Sequence, residues 1–156
     1  MGLRVYITPV AARFPTLDAS LCTPCGACEV ACVEARHGLS GLAPDDVIVL
    51  ERRRLAIRTV AGVPSLDVCV HCTESPCVTI CPHHALLRFP DGRVELLEDR
   101  CTGCGHCVSA CPYKAIRRVA ALDIAVKCDG CRTLEGGPAC VPACPTNALA
   151  LHVPAR

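Results

Sequence analysis

The chain has 156 residues, a formal net charge of +1 and 3% aromatic residues, with no Trp. A charge this close to neutral gives no support to a protein that binds nucleic acid or an anionic membrane. Aliphatic side chains alone would make a thin core, but the chain also contains sixteen cysteines. We therefore expect the cysteines to hold the fold together, through disulfides or through metal.

Cysteines form disulfides in oxidising compartments and remain reduced thiols in reducing ones, so the location of the protein decides between these two uses. Residues 1–15 contain no apolar stretch with a small-residue cleavage site, and no twin-arginine pair precedes an apolar run. Residues 136–155 lack charged side chains but include four prolines, so they do not predict a membrane span, which needs roughly 20 apolar helical residues. We expect a cytoplasmic protein without membrane insertion, whose reduced thiols bind metal.

Short elements are predicted between the cysteine-rich loops. In chain order they are a strand at 4–7, a helix at 26–35, strands at 47–50 and 55–60, a hairpin with strands at 86–89 and 93–96, and strands at 116–120 and 148–153. The hairpin has the clearest signal, because Pro90-Asp91-Gly92 separates its two strands. The pattern favours an α+β ferredoxin-like fold whose interior is supplied by metal clusters, and which is largely unfolded without them.

The cysteines fall into four groups of four, which form the internal repeat of this chain. Group I is Cys22, Cys25, Cys28 and Cys32; group II is Cys69, Cys72, Cys77 and Cys81; group III is Cys101, Cys104, Cys107 and Cys111; group IV is Cys128, Cys131, Cys140 and Cys144. A proline follows the last cysteine in groups II, III and IV. In group I the next residue is Val33, which lets a helix continue.

Group III reads C-x2-C-x2-C-x3-C-P, which is typical of [4Fe-4S] ferredoxins. In this motif three thiolates bind one cubane, and the fourth cysteine binds the neighbouring cluster. Disulfides would not require such triplets, and zinc sites with four thiolates need only C-x2-C pairs. Iron–sulfur chemistry uses every cysteine, so the sequence predicts four [4Fe-4S] clusters. No thiol nucleophile, nucleotide loop or other catalytic apparatus is left.

The spacing leaves two pairings of the groups open. Nineteen residues lie between Cys81 and Cys101, enough for one hairpin. Groups II and III are therefore predicted to form an inner dicluster module at about 66–120. Groups I and IV would then form an outer module from 1–45 and 121–153, nested around it in one polyferredoxin domain. The alternative pairs group I with II and group III with IV.

Further motifs extend over residues 18–150. They are the segments at 25–32, 70–72, 76–78, 111–113, 127–131, 138–141 and 144–146. With group III they resemble the four-cluster electron-transfer subunits of multi-subunit oxidoreductases, a family that includes the iron–sulfur subunits of dimethyl sulfoxide reductase and formate dehydrogenase. The resemblance implies four ligand sets, in agreement with the nested pairing. Site 1 is Cys22, Cys25, Cys28 and Cys144; site 2 is Cys32, Cys128, Cys131 and Cys140; site 3 is Cys69, Cys72, Cys77 and Cys111; site 4 is Cys81, Cys101, Cys104 and Cys107.

The resemblance also implies a role. It predicts a non-catalytic subunit that relays single electrons between a catalytic subunit and a flavin or other redox partner. In its short length the chain is similar to the small polyferredoxin subunit of bacterial tungsten or molybdenum aldehyde oxidoreductases. The alternatives are an iron–sulfur subunit of a hydrogenase, formate dehydrogenase or carbon monoxide dehydrogenase system, a free polyferredoxin carrier, and a redox sensor or assembly protein. Because a row of four clusters has two ends, head-to-tail self-association is a further hypothesis.

Two sets of side chains outside the cysteines have open roles. The arginines at 52–54 and 117–118 are expected to be solvated, the alternative being that they offset cluster charge or dock an acidic partner. His71 lies between Cys69 and Cys72. It is expected either to donate a hydrogen bond to a cluster sulfur or to serve only as a loop residue.

Overall fold

The computed structural model describes residues 13–152, in which short elements alternate with cysteine-bearing loops. The predicted strand at 4–7 lies outside these residues. The helices are α1 (Ala27–His37), α2 (Val47–Arg52), α3 (Pro76–Ile80) and α4 (His106–Ala110). The strands are β1 (Phe14–Leu17), β2 (Leu55–Val60), β3 (Val63–Val68), β4 (Leu86–Arg88), β5 (Val94–Leu96), β6 (Arg117–Val119), β7 (Ile124–Val126) and β8 (Leu149–His152). None of the helices between residues 13 and 152 has the length and apolar character needed to cross a lipid bilayer.

The strands of the described residues form separate antiparallel pairs, and no larger sheet is built from them. Strands β2–β3, β4–β5 and β6–β7 pair with their neighbours in sequence. The pair β1–β8 joins the two ends of the described chain, with Phe14 opposite His152 and their rings 4.8 Å apart. This long-range pairing carries the start of group I and the end of group IV to one side of the molecule.

Most of the predicted elements are present. Helix α1 confirms the helix at 26–35 and continues past Cys32, as the absence of a proline there predicted. Strands β2, β4, β5, β6 and β8 confirm five predicted strands within a residue or two. Strand β3 was not predicted. It pairs with β2 through a turn in which Ala61 and Gly62 both have positive φ, the geometry that suits a tight hairpin.

The strand predicted at 47–50 is wrong, because these residues begin helix α2. A run of four apolar residues does not distinguish a strand from a helical segment. In the structure Val49 is fully buried, whereas Val47 and Leu50 are exposed, so one face of a short helix satisfies the burial. Strand β2 pairs with β3, so residues 47–50 are not needed as its hydrogen-bonding partner.

Cysteines take the place of large side chains in the interior. Of the nine buried residues in the larger hydrophobic cluster, five are Cys28, Cys32, Cys69, Cys128 and Cys140. A second cluster packs three more buried cysteines against the β4–β5 hairpin and β7. Because cysteines are buried in both hydrophobic clusters, any metal that these thiols bind forms part of the core.

Candidate metal centres

Three of the four predicted cysteine sets each surround a cavity. Site 1 lines one cavity with Cys22, Cys25, Cys28 and Cys144, site 2 a second with Cys32, Cys128, Cys131 and Cys140, and site 4 a third with Cys81, Cys101, Cys104 and Cys107. The space between the lining atoms, including the part open to solvent, is similar in the three, at about 290, 300 and 360 Å³. Within residues 13–152, no three His, Cys, Asp or Glu side chains converge as ligands of one metal ion would.

The thiols of site 3 lie close enough to influence one another's charge. Burial raises the pKa of Cys72 to about 11, and the neighbouring Cys69 and Cys111 add to this shift. Burial raises the pKa of Cys77 to about 12, again with contributions from Cys69 and Cys111. The structure therefore brings together the four cysteines that were predicted for this site.

Several buried thiols of the other sites are also hard to ionise without a cation. Burial raises the pKa of Cys28 and Cys128 to about 12, and that of Cys107 to about 11. Such thiols keep their protons near neutral pH unless a metal takes the place of the proton. Thiolate ligation to iron supplies that positive charge, so four sulfur donors around one cavity fit a [4Fe-4S] cluster.

Short helices place one cysteine in each of two neighbouring sites. Helix α1 carries Cys28 of site 1 and, four residues later, Cys32 of site 2. Near α3 and α4 the same four-residue step separates Cys77 from Cys81, and Cys107 from Cys111. Cys28 and Cys32 lie one turn apart on α1, whereas Cys81 and Cys111 follow the last residues of α3 and α4 in extended backbone, which turns them towards the next site. Each of these segments therefore contributes to two adjacent sites.

A repeated turn follows three of the cysteines that end a group. The sequence C-P-x-x-A begins at Cys81, Cys111 and Cys144, and in each copy the alanine N–H donates to the sulfur, at 3.4, 3.4 and 3.2 Å. The residue before the alanine has positive φ in every copy. Hydrogen bonds from N–H groups stabilise a thiolate. The pattern was visible in the sequence, but its meaning required the backbone geometry.

Sites 2 and 3 lie inside the molecule, and sites 1 and 4 reach its surface. All four cysteines of site 2 are buried, as are three of the four in site 3. Cys25 of site 1 and Cys104 of site 4 are exposed. The Cys69 thiol contributes to the raised pKa of Cys128, although burial contributes more, which places sites 2 and 3 next to each other. With the shared helices, this gives the spatial order 1, 2, 3, 4.

The expectation of solvated arginines is wrong for Arg53 and Arg54. Arg53 forms an ion pair with the buried Glu29, whose other carboxylate oxygen accepts the Ile57 N–H at 2.6 Å. Arg54 contacts Glu98 at 3.0 Å and Asp129 at 3.6 Å. These arginines fasten α1, β2 and the group IV loop together, so their charge is used inside the molecule.

Arg36 is a functional candidate that the sequence did not reveal. Its guanidinium pairs with Asp129 and lies 3.6 Å from the sulfur of Cys131 at site 2. Burial opposes the ionisation of Asp129, but the charges of Arg36 and Arg54 outweigh it and lower the pKa of this carboxyl group. No spacing signal identifies Arg36, because its partners lie more than 90 residues away.

His71 is buried and neutral. Burial lowers its pKa to about 3, and its Nδ1 accepts the Val94 N–H at 3.1 Å. The ring proton must then lie on Nε2, which is buried and has no hydrogen-bond partner among residues 13–152. A buried donor without a partner fits a site that takes a sulfur acceptor. The hydrogen bond from His71 to a cluster sulfur stays a prediction.

Comparison with known proteins agrees with this reading of the cysteines. The family described as the 4Fe-4S dicluster domain matches residues 60–153, and the short helices and small sheets suit its α+β ferredoxin-like fold. The electron transport protein HydN of Escherichia coli strain K12 is 37% identical over 155 residues, covering 88% of this chain and 86% of that protein. Formate hydrogenlyase subunit 2 of the same strain is 35% identical over 175 residues, covering 89% and 81%.

Proposed function

Because this chain belongs to the 4Fe-4S dicluster domain family, we propose that it is an electron-transfer subunit carrying four [4Fe-4S] clusters, one in each of sites 1 to 4. The observation that carries the proposal is the grouping of all sixteen cysteines into four sets of four. A cluster held by four thiolates exchanges one electron. The chain's own part is to hold the four sets in a row and to keep water away from the middle two.

The segment that matches the dicluster family bears on how many clusters the chain holds. Residues 60–153 include every cysteine of sites 3 and 4, the two clusters that a dicluster domain needs. Sites 1 and 2 each take cysteines from before residue 60, namely Cys22, Cys25 and Cys28 for site 1 and Cys32 for site 2. The N-terminal cysteines therefore complete two further sites in this proposal.

The two exposed ends define where partners act. Cys25 and Cys104 lie at the surface on sites 1 and 4, so each end offers a short path to another protein. The nested modules, inner at about 66–120 and outer from 1–45 and 121–153, remain part of the proposal. The β4–β5 hairpin within the inner range and the β1–β8 pair within the outer one support that division. Head-to-tail self-association through the two ends stays a hypothesis.

The partner is proposed from the names of the relatives. One is an electron transport protein and another is a subunit of formate hydrogenlyase. These names favour a catalytic partner in a hydrogenase or formate dehydrogenase system. They give no support to a tungsten or molybdenum aldehyde oxidoreductase or to a flavin partner, assignments that rested on chain length and resemblance. Substrate chemistry belongs to that partner, because all sixteen cysteines are used as ligands here.

The test is anaerobic isolation of the tagged chain from its native cells. We expect roughly sixteen irons per chain, from four cubanes, and co-purification of a catalytic oxidoreductase subunit. Addition of formate or hydrogen should then bleach the visible absorbance of the clusters. Recovery of the chain alone would favour the free carrier, and zinc in place of iron would exclude the proposal.

A further inference from the structure

Lys127 is a buried cation between sites 2 and 3. It is 1% exposed, and its Nζ donates to the backbone carbonyl of Cys128 at 2.9 Å. The same Nζ lies 3.5 Å from the sulfur of Cys69. One ammonium group therefore contacts a proposed ligand of site 3 and the main chain of a proposed ligand of site 2.

No carboxylate lies within ion-pair distance of Lys127 in the part of the chain that the structure describes, although Glu95, Glu98 and Asp129 line the same cavity. None of the ion pairs among residues 13–152 includes it. A buried ammonium group is strongly unfavourable without negative charge close by. The group in direct contact that can become negative is the Cys69 sulfur, and it does so when it ligates iron. The position of Lys127 thus suits a protein in which both sites hold anionic clusters.

The end sites have different surroundings. At site 1 the sulfur of Cys144 is contacted by the Ala148 N–H at 3.2 Å and the Thr146 hydroxyl at 3.6 Å. At site 4 the sulfur of Cys101 accepts the Ala125 N–H at 3.2 Å, and the exposed Cys104 lies 3.2 Å from the His106 ring. The N–H and hydroxyl groups in these contacts carry no net charge, and the His106 contact is exposed to water, which screens charge. Lys127 is instead a fixed charge in the interior.

We propose that Lys127 raises the reduction potentials of the clusters at sites 2 and 3 together. This inference rests on the proposed function and deepens it. A cluster gains one negative charge on reduction, and a nearby positive charge stabilises the more negative state, most strongly where water is excluded. Because one ammonium group serves both sites, a single substitution should shift two midpoint potentials in the same direction.

The test is an anaerobic redox titration of the purified chain, followed by electron paramagnetic resonance. Lys127→Met and Lys127→Gln should shift two of the four midpoint potentials downward. Lys127→Arg keeps the positive charge and should leave both potentials near their wild-type values. Lys114→Met is the matched control, because Lys114 is the only other lysine and is exposed. It should leave all four potentials unchanged. Cys25→Ser and Cys104→Ser identify the signals of the end sites, and the remaining two belong to sites 2 and 3.

The outcomes separate the two proposals. Iron-loaded Lys127→Gln with four unchanged potentials overturns the inference. Loss of clusters from both neutral variants also overturns it, because Lys127 would then be needed for assembly and not for the potentials. In either case wild-type protein with about sixteen irons leaves the proposed function standing. Wild-type protein without iron and sulfide would instead remove the proposed function itself.

Discussion

The backbone of Asp123 lies directly against Gly103 in the loop of site 4. A Cβ atom on Gly103 would come within 2.6 Å of the Asp123 carbonyl carbon. Arg118 holds the two segments together, since its Nε donates to the Gly103 carbonyl at 2.6 Å and its Nη2 contacts the Asp123 carboxylate at 2.8 Å. The loop between Cys101 and Cys104 is therefore shaped by a strand pair that follows it in the chain.

Gly103→Ala should disrupt site 4. The new methyl group meets backbone that has little freedom to move, and φ at this position is +65°, which costs an alanine about 1–2 kcal/mol. We expect loss of one cluster, measured as a fall of about four irons per chain and loss of one paramagnetic signal. Gly62→Ala is the control, because φ there is +80° but the space around it is open. Equal iron content in the two variants would contradict the role of the close contact.

Cys81→Ser should remove or perturb the same cluster as Cys104→Ser, although the two residues lie in different groups. Cys81 lines the cavity of site 4 together with Cys104. The matched variant is Cys77→Ser, one helical turn away, which should perturb the same signal as Cys111→Ser. Electron paramagnetic resonance of the four reduced variants would show which signals are shared. A common lost signal for Cys77→Ser and Cys81→Ser would disprove the exchange of fourth ligands.

Arg36→Met should destabilise the protein around site 2. The substitution leaves the partly buried Asp129 with the Cys131 N–H that it accepts and, as its one cation among residues 13–152, Arg54 at 3.6 Å. Loss of a hydrogen-bonded buried charge costs about 2 kcal/mol, and the midpoint of anaerobic thermal unfolding should fall by about 5 °C. Arg132→Met is the control, since the Arg132 side chain is 59% exposed in its pair with Glu95. An equal fall in the two variants would show that burial of the Arg36 pair has no special weight.

Removal of iron should unfold most of the chain. More than half of the buried residues in the larger hydrophobic cluster are cysteines, so the empty sites leave cavities lined by thiols. Ferricyanide with a chelator should abolish the far-ultraviolet circular dichroism of the short helices and strands. Chelator alone is the control and should leave the spectrum unchanged. A cooperative thermal transition that persists in the iron-free protein would contradict this expectation.

Local patterns predicted the elements that are stabilised locally. The hairpin β4–β5 follows from Pro90-Asp91-Gly92, and α1 follows from helix-forming residues after Gly26. Strands β1, β3 and β7 were not predicted; β7 has only three residues, and β1 depends on a remote partner. Strand β1 pairs with β8, more than 130 residues away, and its own sequence, which begins Phe14-Pro15, carries no clear strand signal.

The number and kind of the donor atoms were determined by the sequence alone. Sixteen thiols in triplets and quartets specify iron–sulfur chemistry, because cluster ligation requires several cysteines within a few residues of one another. The resemblance implied which distant cysteine completes each set; the tertiary structure adds which cysteines lie together, which two sets are buried, and which charges face them. Cys144 lies beside Cys22, and Lys127 beside Cys69, only because the chain closes on itself through contacts between remote segments. Such contacts depend on packing of the whole chain, and spacing along the sequence does not encode them.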